Sequence, residues 1–188
     1  MASCLIVSSL VKSLDALTQL LKNCNVTTVQ AVKSGSEARR LLSEKNFDLV
    51  VINTPLSDEF GHDLAYTITQ KTDSGVVMLV KNEVLDELSQ KLFEYGAMCI
   101  GKPLDRLLFQ QGIRLALSSH YRVAGLAKEN LKLQEKMDEI RIINRAKCAL
   151  IEYLNMSESQ AHHYIEKRAM DLRETKLHVA MEILKMYE

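Results

Sequence analysis

The chain has 188 residues, 47% of them hydrophobic and 26% charged, which fits one or two soluble domains with a real core. Lys+Arg 24 against Asp+Glu 24 leaves no formal net charge, so bulk charge excludes no partner and selects none, and any nucleic-acid surface must be local. Cys4, Cys24, Cys99 and Cys148 form no CxxC pair and read as free thiols in a reducing compartment, while no apolar run reaches the ~20 residues that span a bilayer.

The first half alternates strand and helix signals. Residues 4–8 (CLIVS) are an apolar run, the mark of a buried strand. Residues 10–23 follow with Leu10, Leu14, Leu17, Leu20 and Leu21 at helical spacing. The β-branched run 26–32 (VTTVQAV) predicts a second strand, and 34–45 a helix with Ala38, Leu41 and Leu42 inward. A third strand is expected over 47–52 (FDLVVI), stopped by Asn53-Thr54-Pro55. A helix over 61–72, a strand over 75–80 (GVVMLV), a helix over 84–95, a strand over 97–100 and a helix over 104–118 complete the pattern. Five strands alternating with five helices predict an α/β doubly wound parallel five-stranded sheet. The N-terminal apolar run has no basic leader before it, which points away from a secretory signal and toward the cytoplasm.

This layout, with Lys102-Pro103 after the fifth strand, resembles the receiver domain of two-component response regulators over residues 1–118. The resemblance implies chemistry at the carboxyl ends of the strands: an acidic pair for Mg²⁺, a phosphoacceptor Asp, a Thr or Ser after the fourth strand, and a Lys before Pro. Here Ser8 and Ser9 replace the acidic pair, Asn53 holds the phosphoacceptor position, Val80 is assigned to the hydroxyl position, and Lys102 is retained. An amide is no nucleophile for phosphoryl transfer, and two serines bring no negative charge to a metal. The first half therefore reads as a pseudo-receiver that is not phosphorylated at Asn53. Asp58, the nearest loop carboxylate, reads as a solvated loop acid.

Residues 119–140 are expected to be a helical coiled-coil linker. With Val123 at heptad position a, the a residues are Val123, Asn130, Met137 and Asn144, and the d residues Leu126, Leu133, Ile140 and Lys147. Val123, Leu126, Asn130, Leu133, Met137 and Ile140 make a short homodimer seam in which Asn130 would fix register in a parallel pair. The outer positions support it less, since Lys136 would face Arg141. The same stripe also fits one amphipathic helix packed on its own first half, and a dimer could equally use receiver faces.

Residues 141–188 contain no Pro or Gly and read as an all-α three-helix module. The first helix continues the linker with Ile142, Ile143, Ala146, Leu150, Tyr153 and Leu154 inward. Ser157 with Gln160 is a capping-box signature for a second helix carrying Ala161, Tyr164, Ile165, Arg168, Ala169 and Leu172. Asp171 with Glu174 repeats the signature and predicts a third helix with Leu177, Ala180, Met181 and Leu184 inward.

Arg145-Ala146-Lys147, then Met156-Ser157-Glu158 through Ala161, then Arg168-Ala169-Met170-Asp171 resemble the ANTAR domain, an RNA-binding module of bacterial transcription antiterminators. Cys148 stands where that family often has Gly. The resemblance implies an RNA partner, stem-loops in nascent transcripts, with RNA polymerase or a regulatory protein as further partners. Eight basic residues (Arg141, Arg145, Lys147, Lys167, Arg168, Arg173, Lys176 and Lys185) exceed seven acidic ones by one, so binding must rest on arrangement. The expected RNA-contacting set is Arg145, Ala146, Lys147, Lys167, Arg168, Arg173 and Lys176, with His163 and Tyr164 as candidate stacking partners. Core packing is the commoner role for Tyr164, and helix–helix contact for Ala146 and Ala169. His162, His163 and His178 lack Cys or carboxylate neighbours at ligand spacing, so no metal and no cofactor are expected.

The functional expectation is an RNA-binding transcription antitermination regulator, a homodimer with a receiver-like regulatory half. The alternative is a protein-interaction module whose helical tail docks on a partner protein. A DNA-binding regulator ranks third, for want of a recognition helix rich in base-reading polar residues. An enzyme ranks last, because no nucleophile–base constellation or phosphate loop is present.

Overall fold

The computed structural model describes residues 2–187. Two compact units divide the chain, Met1–Gly125 and Leu126–Glu188. The first contains β1 (Ala2–Ser8), β2 (Val26–Val32), β3 (Leu49–Asn53), β4 (Gly75–Lys81) and β5 (Ala97–Lys102), all parallel, in the order β2-β1-β3-β4-β5. Right-handed crossovers fix where the helices go. The step from β1 to β2 runs one way across the sheet and every later step the other way. Helix α1 (Val11–Lys22) therefore lies on one face, and α2 (Gly35–Glu44), α3 (His62–Lys71) and α4 (Leu85–Phe93) on the opposite one.

Strand alternation sorts the apolar runs between the two faces. Cys4, Ile6, Val51, Val77 and Leu79 meet Leu17 and Leu21 of α1 and Phe109 and Ile113 of the helix that follows β5. Leu5, Val7, Val50, Ile52, Met78 and Val80 meet Ala38, Leu64, Ile68, Leu88 and Leu92 from α2, α3 and α4. Both faces are covered, as a parallel sheet requires. The strand ends differ from expectation by one or two residues. Asn53, Lys81 and Lys102 close β3, β4 and β5, because strand pairing continues one position beyond the last apolar residue in β3 and β4 and two beyond it in β5.

Helix α5 (Arg106–Leu154) is continuous over 49 residues and runs through positions 118/119 and 140/141 without a break. Asp105 starts it, its carboxylate accepting the Leu108 N–H at 2.7 Å. Gly125 sits within it, and a Cβ there would meet nothing within 4 Å.

In the second unit the end of α5 packs with α6 (Glu158–Leu172) and α7 (Lys176–Tyr187). The Ser157 capping box is present: the Gln160 N–H donates to Ser157 Oγ at 3.2 Å and the Ser157 N–H to Gln160 Oε1 at 2.8 Å. The second expected box is not. Asp171 lies inside α6, which ends when Arg173 adopts a left-handed conformation (φ 56°) and the Glu174 N–H returns to the Ala169 carbonyl. Thr175 opens α7 instead, its hydroxyl accepting the His178 N–H at 3.1 Å.

The module's core is Ala146, Leu150, Ala161, Ile165, Ala169, Val179, Ala180, Ile183 and Leu184. Tyr153, Leu154 and Met181, expected inward, are exposed, as is Leu172. Helix α7 is apolar around more than half its circumference, so periodicity alone could not choose between the Leu177/Met181 edge and the Val179/Ile183 edge. Packing chooses the latter.

Candidate functional site

Two places carry residues singled out from sequence, one in each unit. At the carboxyl edge of the sheet, Asn53 is 5% exposed and its amide Nδ2 donates to Ser8 Oγ at 2.9 Å and Ser13 Oγ at 3.1 Å. Ser13 Oγ donates in turn to the Leu10 carbonyl at 2.7 Å, and Ser9 Oγ to the Pro55 carbonyl at 2.9 Å. Hydroxyls and an amide thus fill this edge with a closed, neutral network. Lys102 donates Nζ to the Thr54 carbonyl at 2.5 Å, a backbone tie with no carboxylate in it. Burial, and Lys81 beside it, hold its amine below the usual lysine range.

Val80 brings no hydroxyl to this edge, and its side chain faces away from Asn53. Pairing sets Val80 against Gly101 and Lys81 against Lys102, and Asn53 against Leu79, so Lys81 shares the face of Asn53 and Lys102. Val80 is fully buried in the opposite layer. A second cation, and not an aliphatic side chain, therefore stands next to Lys102.

Asp58 is no freely solvated acid. It accepts the Gly35 N–H at 2.8 Å, the Ser36 N–H at 3.0 Å and the Ser36 hydroxyl at 2.8 Å. These are the orphan donors at the N-terminus of α2, where an anion is favoured. The N–H groups of Ser36 and Gly35 bring its pKa down to about 2.

In the second unit, Lys147 Nζ donates to Glu158 Oε1 at 2.8 Å, and Lys176 pairs with Glu166 at 2.5 Å. Each lysine holds its partner's carboxyl below the ordinary range. Arg168 Nη1 donates to the Tyr164 hydroxyl at 3.0 Å, and its Nη2 lies 3.9 Å from Glu182. Arg145, Lys167 and Arg173 are exposed. Ala146, by contrast, is fully buried among α5, α6 and α7, which removes it from the surfaces that can touch a ligand; its small size serves close helix packing. His162 lies 3.3 Å from Glu166 along α6, and His178 of α7 lies 3.2 Å from Glu174 in the turn before it, so each has the carboxylate neighbour it was expected to lack. Among the described residues no group of three or more His, Cys, Asp or Glu is placed to hold a metal ion. Cys4, Cys24, Cys99 and Cys148 are free thiols. No described helix is long and apolar enough to cross a membrane.

The response regulator receiver domain matches residues 4–114 and the ANTAR domain residues 131–184. The chain belongs to the response regulators and carries an ANTAR domain. This response regulator is similar over 169 residues, at 28% identity, to the transcriptional regulatory protein PdtaR of Mycobacterium tuberculosis, covering 89% of this chain and 82% of that one. It is 27% identical over 187 residues to the aliphatic amidase regulator of Pseudomonas aeruginosa, covering 94% and 95%. The fold of its first unit is that of a signal receiver domain of an HD domain-containing protein from Pseudomonas fluorescens, with a TM-score of 0.58, 24% identity, and 66% of this chain and 92% of that one covered.

Sequence reasoning missed Lys81, Asp58 as a helix anchor, and a tyrosine pair on the ANTAR unit. Lys81 was readable from the register of β4 had the strand been carried one residue further. The partners of Asp58 lie 22 and 23 residues away and left no local signal.

Proposed function

We propose that this response regulator is an RNA-binding transcription antitermination regulator of the cytoplasm, acting as a homodimer on paired stem-loops in nascent RNA, with a receiver-like half that is not phosphorylated at Asn53. The observation that carries the reading is the ANTAR match on a three-helix unit that exposes Arg145, Lys167 and Arg173 and holds Arg168 and Lys176 in partly exposed ion pairs. Such pairs contribute little to stability, so Arg168 and Lys176 lose little by trading a carboxylate for a phosphate. The names of the relatives, a transcriptional regulatory protein and an aliphatic amidase regulator, agree with a regulatory role.

The dimer reading rests on the exposed stripe of α5. Leu126, Leu133, Met137 and Ile140 are each more than half exposed, an unusual row of large apolar side chains along one helix. The same spacing puts Asn130 among them.

Filter binding tests the main reading with a two-stem-loop RNA, a single-stem RNA and duplex DNA at stated salt. The two-stem RNA should bind tightest. Lys147→Ala and Arg168→Ala should each weaken it and lower the slope of log affinity against log salt by about one. Equal affinity for all three nucleic acids would remove RNA selectivity, and binding of none would leave a protein partner as the better reading. For the dimer, Asn130→Val should change the sedimentation species from a single dimer to a mixture; an unchanged species would strip Asn130 of its register role.

A further inference from the structure

At the amino edge of the sheet, the end opposite to Asn53, α5 walls a cleft of about 570 Å³ against the start of β1 and the turn that joins α1 to β2. Ala2, Cys24 and Leu117 line it deepest, all three buried. Arg114, Tyr121 and Arg122 stand along the α5 wall, and their spacing puts them on one side of the helix. His120 projects from the other flank of the same turn. Its Nδ1 lies 2.5 Å from the Asp73 carbonyl and its Nε2 3.1 Å from Asp48, which fixes the wall to the residues that lead into β4 and β3.

The cleft is cationic, with no acid in its lining. Among the described residues neither Arg114 nor Arg122 pairs with a carboxylate, in contrast to Arg39, Arg141 and Arg168. Their Cα atoms are about 12 Å apart along the helix, so the two guanidiniums can converge on a phosphate group between them. Burial pushes the Cys24 thiol above its ordinary range, and Arg114 beside it pulls the other way, which places that guanidinium near the floor. The carbonyls that end α1 would oppose an anion, but the Cys24 N–H donates to that of Leu21 at 2.8 Å and the Cys24 thiol to that of Leu20 at 3.6 Å. Tyr121, 51% exposed, offers an aromatic face beside the two cations. A flat heterocycle joined to a phosphate chain uses the ring, the apolar floor and both guanidiniums at once, whereas an inorganic anion leaves the ring and the floor unused.

We infer that this cleft binds a free nucleotide with at least two phosphate charges, its phosphates held between Arg114 and Arg122 and its base laid on Tyr121. The site belongs wholly to the first unit and uses neither the edge around Asn53 nor the cations of the ANTAR unit. Its wall is the helix that continues to Leu154.

The test is calorimetric titration of the full chain at fixed salt with ADP, GDP, adenosine and pyrophosphate. Stacking on a tyrosine tolerates any base, so ADP and GDP should both bind, each about tenfold or more tighter than adenosine or pyrophosphate. Arg114→Gln and Arg122→Gln should each weaken ADP and pyrophosphate by about tenfold and leave adenosine alone. Tyr121→Leu should bring ADP down to the level of pyrophosphate without changing pyrophosphate itself. Lys71→Gln, an exposed charge removed from α3 on the opposite face of the sheet, should change nothing. The site is overturned if neither nucleotide binds at millimolar concentration, or if ADP binds both arginine variants as it binds the wild type. Pyrophosphate binding as tightly as ADP would leave the ring without a role and sink the nucleotide. Should a glutamine variant unfold, as circular dichroism would reveal, Tyr121→Leu decides instead, and an ADP affinity equal to wild type overturns the site. A stem-loop RNA serves as the last arm: loss of its binding in Arg114→Gln or Arg122→Gln, with no nucleotide bound by the wild type, would make the cleft part of an RNA surface and end the proposal.

Discussion

The sheet edge around Asn53 and the surface of the ANTAR unit handle polar groups in opposite ways. At the edge, each hydroxyl and the amide nitrogen find a neutral partner within the unit, and Lys102 is tied to a backbone carbonyl. On the module, Arg168 and Lys176 face partly exposed carboxylates across pairs that water and a phosphate can compete for. The first arrangement is costly to open, because a buried donor without its acceptor loses its full solvation. The second costs little to exchange. One chain thus seals the place where receiver chemistry resides in its family and keeps replaceable charges where a polyanion can dock.

The two regions also differ in reserve. The first unit has two layers of core around a buried sheet, whereas the core cluster of the module has nine buried apolar residues, four of them alanine. Ile6 and Ile183 are both buried, at 0% and 2% exposed, and truncating either to alanine removes about 2–5 kcal/mol. A unit of some 60 residues starts with little stability to lose. Ile183→Ala should therefore abolish the cooperative unfolding of α6 and α7 at 25 °C, read by hydrogen exchange at their amides. Ile6→Ala should leave the sheet amides protected, with only a lower midpoint. Equal loss of protection in both variants would break this side of the comparison.

Asn53→Asp is the next largest. It places a carboxylate at a 5% exposed site where Ser8 and Ser13 must redirect their hydroxyls to serve it. We expect a loss of about 1–3 kcal/mol in urea unfolding. With acetyl phosphate and Mg²⁺ no stable phosphoprotein should form, since Ser8 and Ser9 give a metal no negative charge and Val80 brings no hydroxyl. Stable labelling of this variant would show that one amide is the whole barrier, and the sealed-edge reading would fail.

How much of this was written in the sequence follows from the range of the interactions. Buried parallel strands announce themselves as continuous apolar runs, and the Ser157 capping box works within four residues, so both were legible. The strand ends were not. Hydrogen bonding continues through Asn53, Lys81 and Lys102, which no apolar pattern includes, and so Lys81 beside Lys102 went unnoticed. The third helix was set wrongly for a related reason. Asp171 and Glu174 have the spacing of a cap, but a cap requires the chain to leave the helix, and Arg173 leaves it two residues later. Ala146 looked like a binding residue because it sits between two cations in sequence, while helical geometry turns it inward, Arg145 outward, and Lys147 along the flank where it meets Glu158. The Tyr153–Tyr187 stack joins residues 34 positions apart on different helices, beyond any local pattern.

The smallest expected effect lies in a charge that the first unit does keep. Asp58 accepts hydrogen bonds from Ser36 and Gly35 at the start of α2, and its pKa in the folded chain is about 2, below the roughly 3.9 of an unfolded aspartate. The unfolded state therefore binds the proton first as pH falls. The contribution of Asp58 is fully present above about pH 4 and is lost as pH drops from there toward 2. Asp58→Asn keeps one acceptor for an N–H but carries no charge for the helix terminus, so its urea midpoint should lie slightly below that of the wild type at pH 7 and converge with it near pH 2. Parallel curves across that window would mean that the loop carboxylate adds nothing through its charge. The first unit would then hold α2 by packing alone, and the contrast with the exchangeable charges of the module would be sharper still.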